Sequence, residues 1–359
     1  MKQSSQPIPV TITKLPHSQI SIAGTLPPER LEQYRAKAIK ALGAEITLPG
    51  FRKGHIPEKV LIEKIGEMAI LEEMAQYSLG DAYPEIVISN HIEPLGRPSV
   101  QITKLVPGNP FEFTLTTAVY PEFTLPDYKK IAKKVSVNKE AVKVDDQEIV
   151  KTELEVRRLK ARIDANQLKK VDGQIDTDEE IPLDDASLPE LTDEFVTSLG
   201  EFKDVEDFRS KLRENIRLEK ENQHKSKQRA SLIDAIVKET PIDLPHLITE
   251  GELDRMWHEF DAEVSRAGST IDAYLAEAKK TAEEIRTEWT PGAEHRGKTQ
   301  LILNKIAVEE KLTLDESRVV TETERLVKQY SDADPIRVRN YVESILMNEA
   351  VFALLDGVE

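Results

Sequence analysis

Gly50-Phe51-Arg52-Lys53-Gly54-His55-Ile56-Pro57 places an aromatic ring and two cations between two glycines, in a segment whose apolar spacing fits neither helix nor strand. Glycine at 50 and 54 admits backbone angles that a Cβ resists, and Pro57 suits the first turn of a helix that follows. The stretch reads as a short protruding loop. Spacing alone allows a second reading, a turn between helices with Phe51 folded into the core, because an exposed Phe is unfavourable unless it meets a partner.

The flanking sequence gives the loop a platform. Val10–Leu15 and Gln19–Leu26 alternate at period two around Pro16-His17-Ser18 and predict an antiparallel hairpin. Leu31, Tyr34, Ala38 and Leu42 recur at helical spacing between Pro28 and Gly43, predicting one amphipathic helix that leads to the loop. Beyond Pro57, Val60, Leu61, Lys64 and Ile65 predict a short helix, and Ala69, Leu71, Met74, Ala75, Leu79 and Tyr83 a longer one. Period two returns over Pro98–Val106 and Phe111–Val119, with Phe111, Phe113, Leu115, Thr117 and Val119 on one face. Residues 1–120 are therefore expected to form an α+β domain with an antiparallel sheet and a helical insert.

The rest of the chain reads as helical. Pro121 to Val137 is expected to be extended, stiffened by Pro121 and Pro126 and solvated by Lys129, Lys130, Lys133 and Lys134; a helix over 144–163 completes a connection spanning 121–171. Residues 172–187 carry seven acidic side chains and no basic one, a composition that predicts a mobile linker. From 188 to 359 the pattern is all-α: a long helix from Val205 to Thr240 with a very polar middle, then helices over 247–267, 271–289, 291–311, 315–330 and 335–355. Amphipathic arms without one shared core suit an elongated body.

Composition narrows the function. With 359 residues, 39% apolar and only 5% aromatic, the chain can form two or three domains with modest cores. The net charge of −16 argues against broad nucleic-acid coating. Residues 1–120 are balanced at 12 cations and 12 anions, so only that part could approach a polyanion easily. The absence of cysteine excludes disulfides and thiol chemistry. No secretory leader or membrane span is legible, so a cytoplasmic location and no membrane partner are expected. The seven histidines fall at no metal-ligand spacing, and neither a phosphate-cradling glycine loop nor a Gly-x-Ser-x-Gly elbow occurs. His258 and Glu259 are adjacent, so a helix would not put them on one face. No metal, cofactor or catalytic residue is expected.

The 50–57 run resembles the ribosome-docking signature of bacterial trigger factor, Gly-Phe-Arg-x-Gly-x-x-Pro. Leu188-Pro189-Glu190-Leu191-Thr192-Asp193-Glu194-Phe195 is similar to the segment that opens that family's C-terminal helical domain. The resemblance implies an ATP-independent chaperone that docks near the ribosomal exit tunnel and shields nascent polypeptides. It carries ribosome binding onto Gly50, Phe51, Arg52, Lys53, Gly54 and Pro57, facing a tunnel-exit ribosomal protein and nearby rRNA. Unfolded nascent chains are the implied clients, and Met256, Trp257, Phe260, Met347, Phe352 and Leu355 are candidate client contacts, although such spacing more often marks core. A weak homodimer off the ribosome is left open. The chain departs from most trigger factors at 172–187, where they insert an FK506-binding-type prolyl-isomerase domain. The 25 residues between Arg162 and Leu188 include no aromatic and fall short of the roughly 40 that a core needs, so isomerase activity is not carried over. The competing reading is a helical scaffold that binds a non-ribosomal partner.

Overall fold

The computed structural model describes residues 8–46, 56–136, 143–171, 188–330 and 332–358. Four strands form one antiparallel sheet: β1 (Val10–Leu15), β2 (Gln19–Leu26), β3 (Pro94–Lys104) and β4 (Phe111–Val119), in the order β1-β2-β4-β3. Gly24 pairs with Phe113, and a Cβ there would lie 2.6 Å from the Phe113 ring, so only glycine lets the strands close over that side chain.

Four helices cover the sheet: α1 (Pro28–Glu32), α2 (Arg35–Glu45), α3 (Glu58–Ile65) and α4 (Glu67–Ser89). Ile20, Ile22, Leu26, Phe111, Phe113 and Leu115 on the strands meet Leu31, Ala38, Ile70, Met74, Leu79 and Ile86 on the helices in one buried cluster. Each fully buried large side chain contributes on the order of 1.5–3 kcal/mol, so this cluster dominates the stability of residues 8–119. The helix expected before the loop is broken in two at Gln33–Tyr34, where α1 ends and α2 begins.

By internal contacts the chain divides into two compact units, each built from two stretches of sequence. The first comprises residues 1–126 and 237–313. Its helical part contains α9 (His246–Arg266), α10 (Ile271–Ala278) and α11 (Ala282–Glu309). The 16–18 turn joins the two stretches: Ser18 N–H donates to the Asp243 carboxylate at 2.8 Å, Ser18 Oγ donates to the Asp243 carbonyl at 2.6 Å, and the His17 and His246 rings lie 4.1 Å apart. Helices α9 and α11 pack closely because Gly297 has no Cβ; one would lie 2.9 Å from Ile248.

The second unit comprises residues 127–236 and 314–359. It contains α5 (Tyr128–Ser136), α6 (Asp146–Val171), α7 (Asp193–Leu199), most of α8 (Val205–Glu239), α12 (Glu316–Gln329) and α13 (Pro335–Asp356). Val319, Val342 and Leu346 form a small buried cluster between α12 and α13. Charge stitches the longer helices: Arg209 grips the buried Glu153 carboxylate at 2.7 and 3.2 Å, and Lys220 reaches Glu148 at 2.7 Å.

By contacts, residues 237–313 group with the N-terminal sheet. Two expectations change. The stretch from Pro121 to Val137 is extended only at its start: Tyr128, Ile131 and Ala132 are buried along one face of α5, and Asp127 accepts the Lys130 amide at 3.0 Å as a cap. The lysines had suggested a solvated strand, yet they occupy the opposite face of a strongly amphipathic helix. Pro291, expected to open a helix, lies inside α11, which begins earlier at a capping box formed by Thr281 and Glu284. The expected acidic linker at 172–187 lies outside the described residues.

Candidate functional site

Gly50, Phe51, Arg52, Lys53 and Gly54 lie outside the described residues; Pro57 and both flanks of the loop are described. Helix α2 delivers the chain to Ile46, whose N–H donates to Leu42 at 3.2 Å. The chain returns at Ile56, which is buried, and the exposed Pro57 occupies the N-cap position of α3, its carbonyl accepting the Leu61 N–H at 3.0 Å. Leu61 is fully buried, so α3 is held one turn beyond the loop.

Arg35 ties these flanks to the domain. Its guanidinium donates to Glu58 on α3 at 2.9 Å and to Glu67 on α4 at 2.5 and 3.2 Å. The hydrogen bond to Glu67 raises the pKa of Arg35 above its ordinary value, and the same bond lowers that of Glu67. Arg30 meets Glu85 at 2.6 Å, the Tyr34 hydroxyl donates to Asp81, and Lys37 stands 3.9 Å over the Tyr77 ring. These contacts fasten α1 and α2 to α4 along its length. Sequence spacing identified the loop but not Arg35, because one arginine joining the starts of three helices leaves no periodic trace.

The candidate client residues separate into two groups. Met256, Trp257 and Phe260 are half-buried on α9. Trp257 and Phe260 join Trp289 of α11 and Tyr274 of α10 in an aromatic cluster, with ring centroids 4.9–6.1 Å apart and mostly edge-on. Tyr274 is 42% exposed. Cations at the rim are engaged: Arg286 with Glu250 and Asp254, Arg296 with Glu259, and Lys280 with Glu288. Tyr274 and Trp289 escaped the sequence reading, although the chain has only two tryptophans and both fall in this cluster.

On α13, Met347 and Phe352 are half-buried, and the Arg229 guanidinium lies 4.9 Å from the Phe352 ring. Leu355 is fully buried and has no surface to offer a client, a correction to the sequence reading. Its helical spacing from Phe352 marked the inward side of α13 rather than a shared outer patch. Among the described residues, no group of three or more His, Asp or Glu side chains is placed to hold a metal ion. Nor is any helix there long and apolar enough to cross a membrane.

The described residues define a multidomain chain with an antiparallel sheet covered by helices, followed by further helices that carry half-exposed aromatics. The family model described as "Bacterial trigger factor protein (TF)" matches residues 8–157, and that described as "Bacterial trigger factor protein (TF) C-terminus" matches residues 204–355. The chain belongs to the trigger factor family. It is 26% identical to the trigger factor of Saccharopolyspora erythraea, covering 89% of this chain and 81% of that one. It is 22% identical to the trigger factor of Agathobacter rectalis, covering 98% and 96%. A solved structure described as "Promiscuous Substrate Recognition in Folding and Assembly Activities of the Trigger Factor Chaperone" shares the fold at a TM-score of 0.53 and 18% identity, over 98% of this chain and all of that one.

Proposed function

We propose that the protein is an ATP-independent chaperone that docks on the ribosome through Gly50–Pro57 and shields emerging polypeptides. The chaperone class follows from family membership, and the docking assignment rests above all on the Gly-Phe-Arg-Lys-Gly-His-Ile-Pro run. The C-terminal flank supports it: Ile56 and Leu61 are buried and Arg35 bonds Glu58 and Glu67, so that flank needs little reorganisation on binding. Phe51 would bury its ring while Arg52 and Lys53 meet carboxylates of a tunnel-exit protein or rRNA phosphates, contacts that weaken with salt.

Replacing Phe51, Arg52 and Lys53 together by Ala is expected to remove the protein from sedimenting ribosomes and leave its circular dichroism unchanged. Retained co-sedimentation overturns the assignment. The half-exposed aromatic cluster around Trp257 and Phe260 supplies a surface for unfolded clients. Prolyl isomerisation is not part of the proposal: α6 runs to Val171 and α7 begins at Asp193, which leaves a connection too short for a further core. Turnover of a proline peptide would contradict it. The cytoplasm, where ribosomes work, is the proposed location.

A further inference from the structure

One edge of the N-terminal sheet adjoins an apolar groove apart from the aromatic cluster. Strand β3 stands last in the order β1-β2-β4-β3, so among the described residues no strand pairs with its outer side. Leu79, Gly80 and Tyr83 present one face of α4, and Pro98, Val100 and Ile102 present one face of β3. Between them lies a groove of 560 Å³, which continues past Ile102 to Met68 and Glu72 in a second depression of 460 Å³. Val100 is 51% exposed and Ile102 38%, unusual for two neighbouring apolar residues on one face of an edge strand. The Tyr83 hydroxyl is buried and has no hydrogen-bond partner among the described residues.

Charge marks the ends. Arg97 lines one end of the groove and Glu72 the other; Lys104 beside Glu72 is paired with Glu112, and neither Arg97 nor Glu72 has an ion-pair or hydrogen-bond partner among the described residues. We propose that β3 and α4 together bind an extended segment of unfolded polypeptide, which adds to the sheet antiparallel to β3. Its alternate apolar side chains enter the groove, its basic N-terminal end meets Glu72, and its acidic C-terminal end meets Arg97. Backbone pairing along the edge supplies affinity for any extended chain, and the groove selects apolar residues at every second position. The opposite charges at the two ends fix the direction of the added strand. The proposal rests on the chaperone reading and gives it a second client surface, distinct in chemistry from the aromatic cluster.

The test uses the full chain and a fluorescent peptide of alternating valine and threonine, with lysine at its N-terminal end and glutamate at its C-terminal end. Binding is read by anisotropy, and its place by hydrogen exchange. Protection over Pro98–Lys104 is expected. Val100→Lys with Ile102→Lys, at positions already exposed, is expected to weaken binding roughly tenfold or more with unchanged circular dichroism. Arg97→Glu is expected to shift preference toward a peptide whose glutamate is replaced by lysine. Unchanged affinity in the double variant, or protection confined to Val237–Thr313, overturns the proposal. Protection of β3 that rises with protein concentration without peptide would assign the edge to a second copy and overturn it too. The double variant is expected to co-sediment with ribosomes as the unaltered protein does, so loss of peptide binding and failure of loop docking are read separately.

Discussion

Residues 8–119 and the unit formed by residues 127–236 and 314–359 are stabilised by different means. In the first, sheet and helices share one continuous apolar cluster in which Ile22, Leu26, Phe111 and Ala82 are fully buried. In the second, buried apolar residues such as Ile149, Phe208, Ile233, Val319, Leu346 and Leu355 are spread over several helices, and ion pairs such as Arg209–Glu153, Lys220–Glu148 and Arg229–Asp356 also join helices far apart in sequence. An apolar core keeps its geometry across salt and pH. Pairs with an exposed partner each contribute little.

The comparison can be broken most directly at Phe113, whose ring is almost wholly buried. Phe113→Ala is expected to destabilise the sheet body by about 3–5 kcal/mol, measured by denaturant unfolding. A loss under about 1 kcal/mol would show that the cluster is not what holds this body together. Arg209→Ala tests the other side. It strands the Glu153 carboxylate, but Arg209 is 54% exposed and water screens the pair, so about 1–2 kcal/mol is expected, shrinking as salt rises. A salt-independent loss would assign Arg209 to packing instead.

The smallest and broadest effect is acid. Hydrogen bonds hold four carboxyls of the second unit below their ordinary values: Glu148 through Lys220, Asp207 through Lys211, Glu214 through Arg217 and Asp315 through Ser317. A depressed carboxyl contributes stability that is complete above its unfolded value, 4.5 for Glu and 3.8 for Asp, and is lost as pH falls through the folded value. In the sheet body only Glu67 is held down in this way among the described residues. Limited pepsin digestion below pH 4 is therefore expected to cut the second unit before residues 8–119. The reverse order would show that the charge stitches do not set its acid response.

Much of this was legible from residue order. The strands at Val10–Leu15, Gln19–Leu26 and Phe111–Val119 fall where period-two alternation puts them; in the last two it marks one face on the core and one turned outward, whereas β1 is almost wholly exposed. The long α8 was readable because no proline or glycine interrupts Val205–Glu239. The misreadings share a cause. Four lysines conceal the buried face of α5, and Pro291 reads as a helix start although Thr281 and Glu284 open the helix that runs through it. Of the site, the loop motif was visible as a word. Its anchoring through Arg35 and the meeting of Tyr274 and Trp289 with Trp257 and Phe260 were not, since each joins separate helices.

By itself the sequence determined the hairpin strands, the uninterrupted α8, that cysteine chemistry is absent, and that a trigger-factor motif sits between two helices. These are local properties, set by side-chain volume, backbone freedom and spacing along a few turns. Only the tertiary structure decided that residues 237–313 group with the N-terminal sheet, that Leu355 faces inward, and that β3 stands at the sheet edge beside α4 with no further strand among the described residues. Those outcomes depend on which apolar surfaces meet among residues far apart in the chain. Many such pairings satisfy the same local pattern, and the fit of whole faces selects among them.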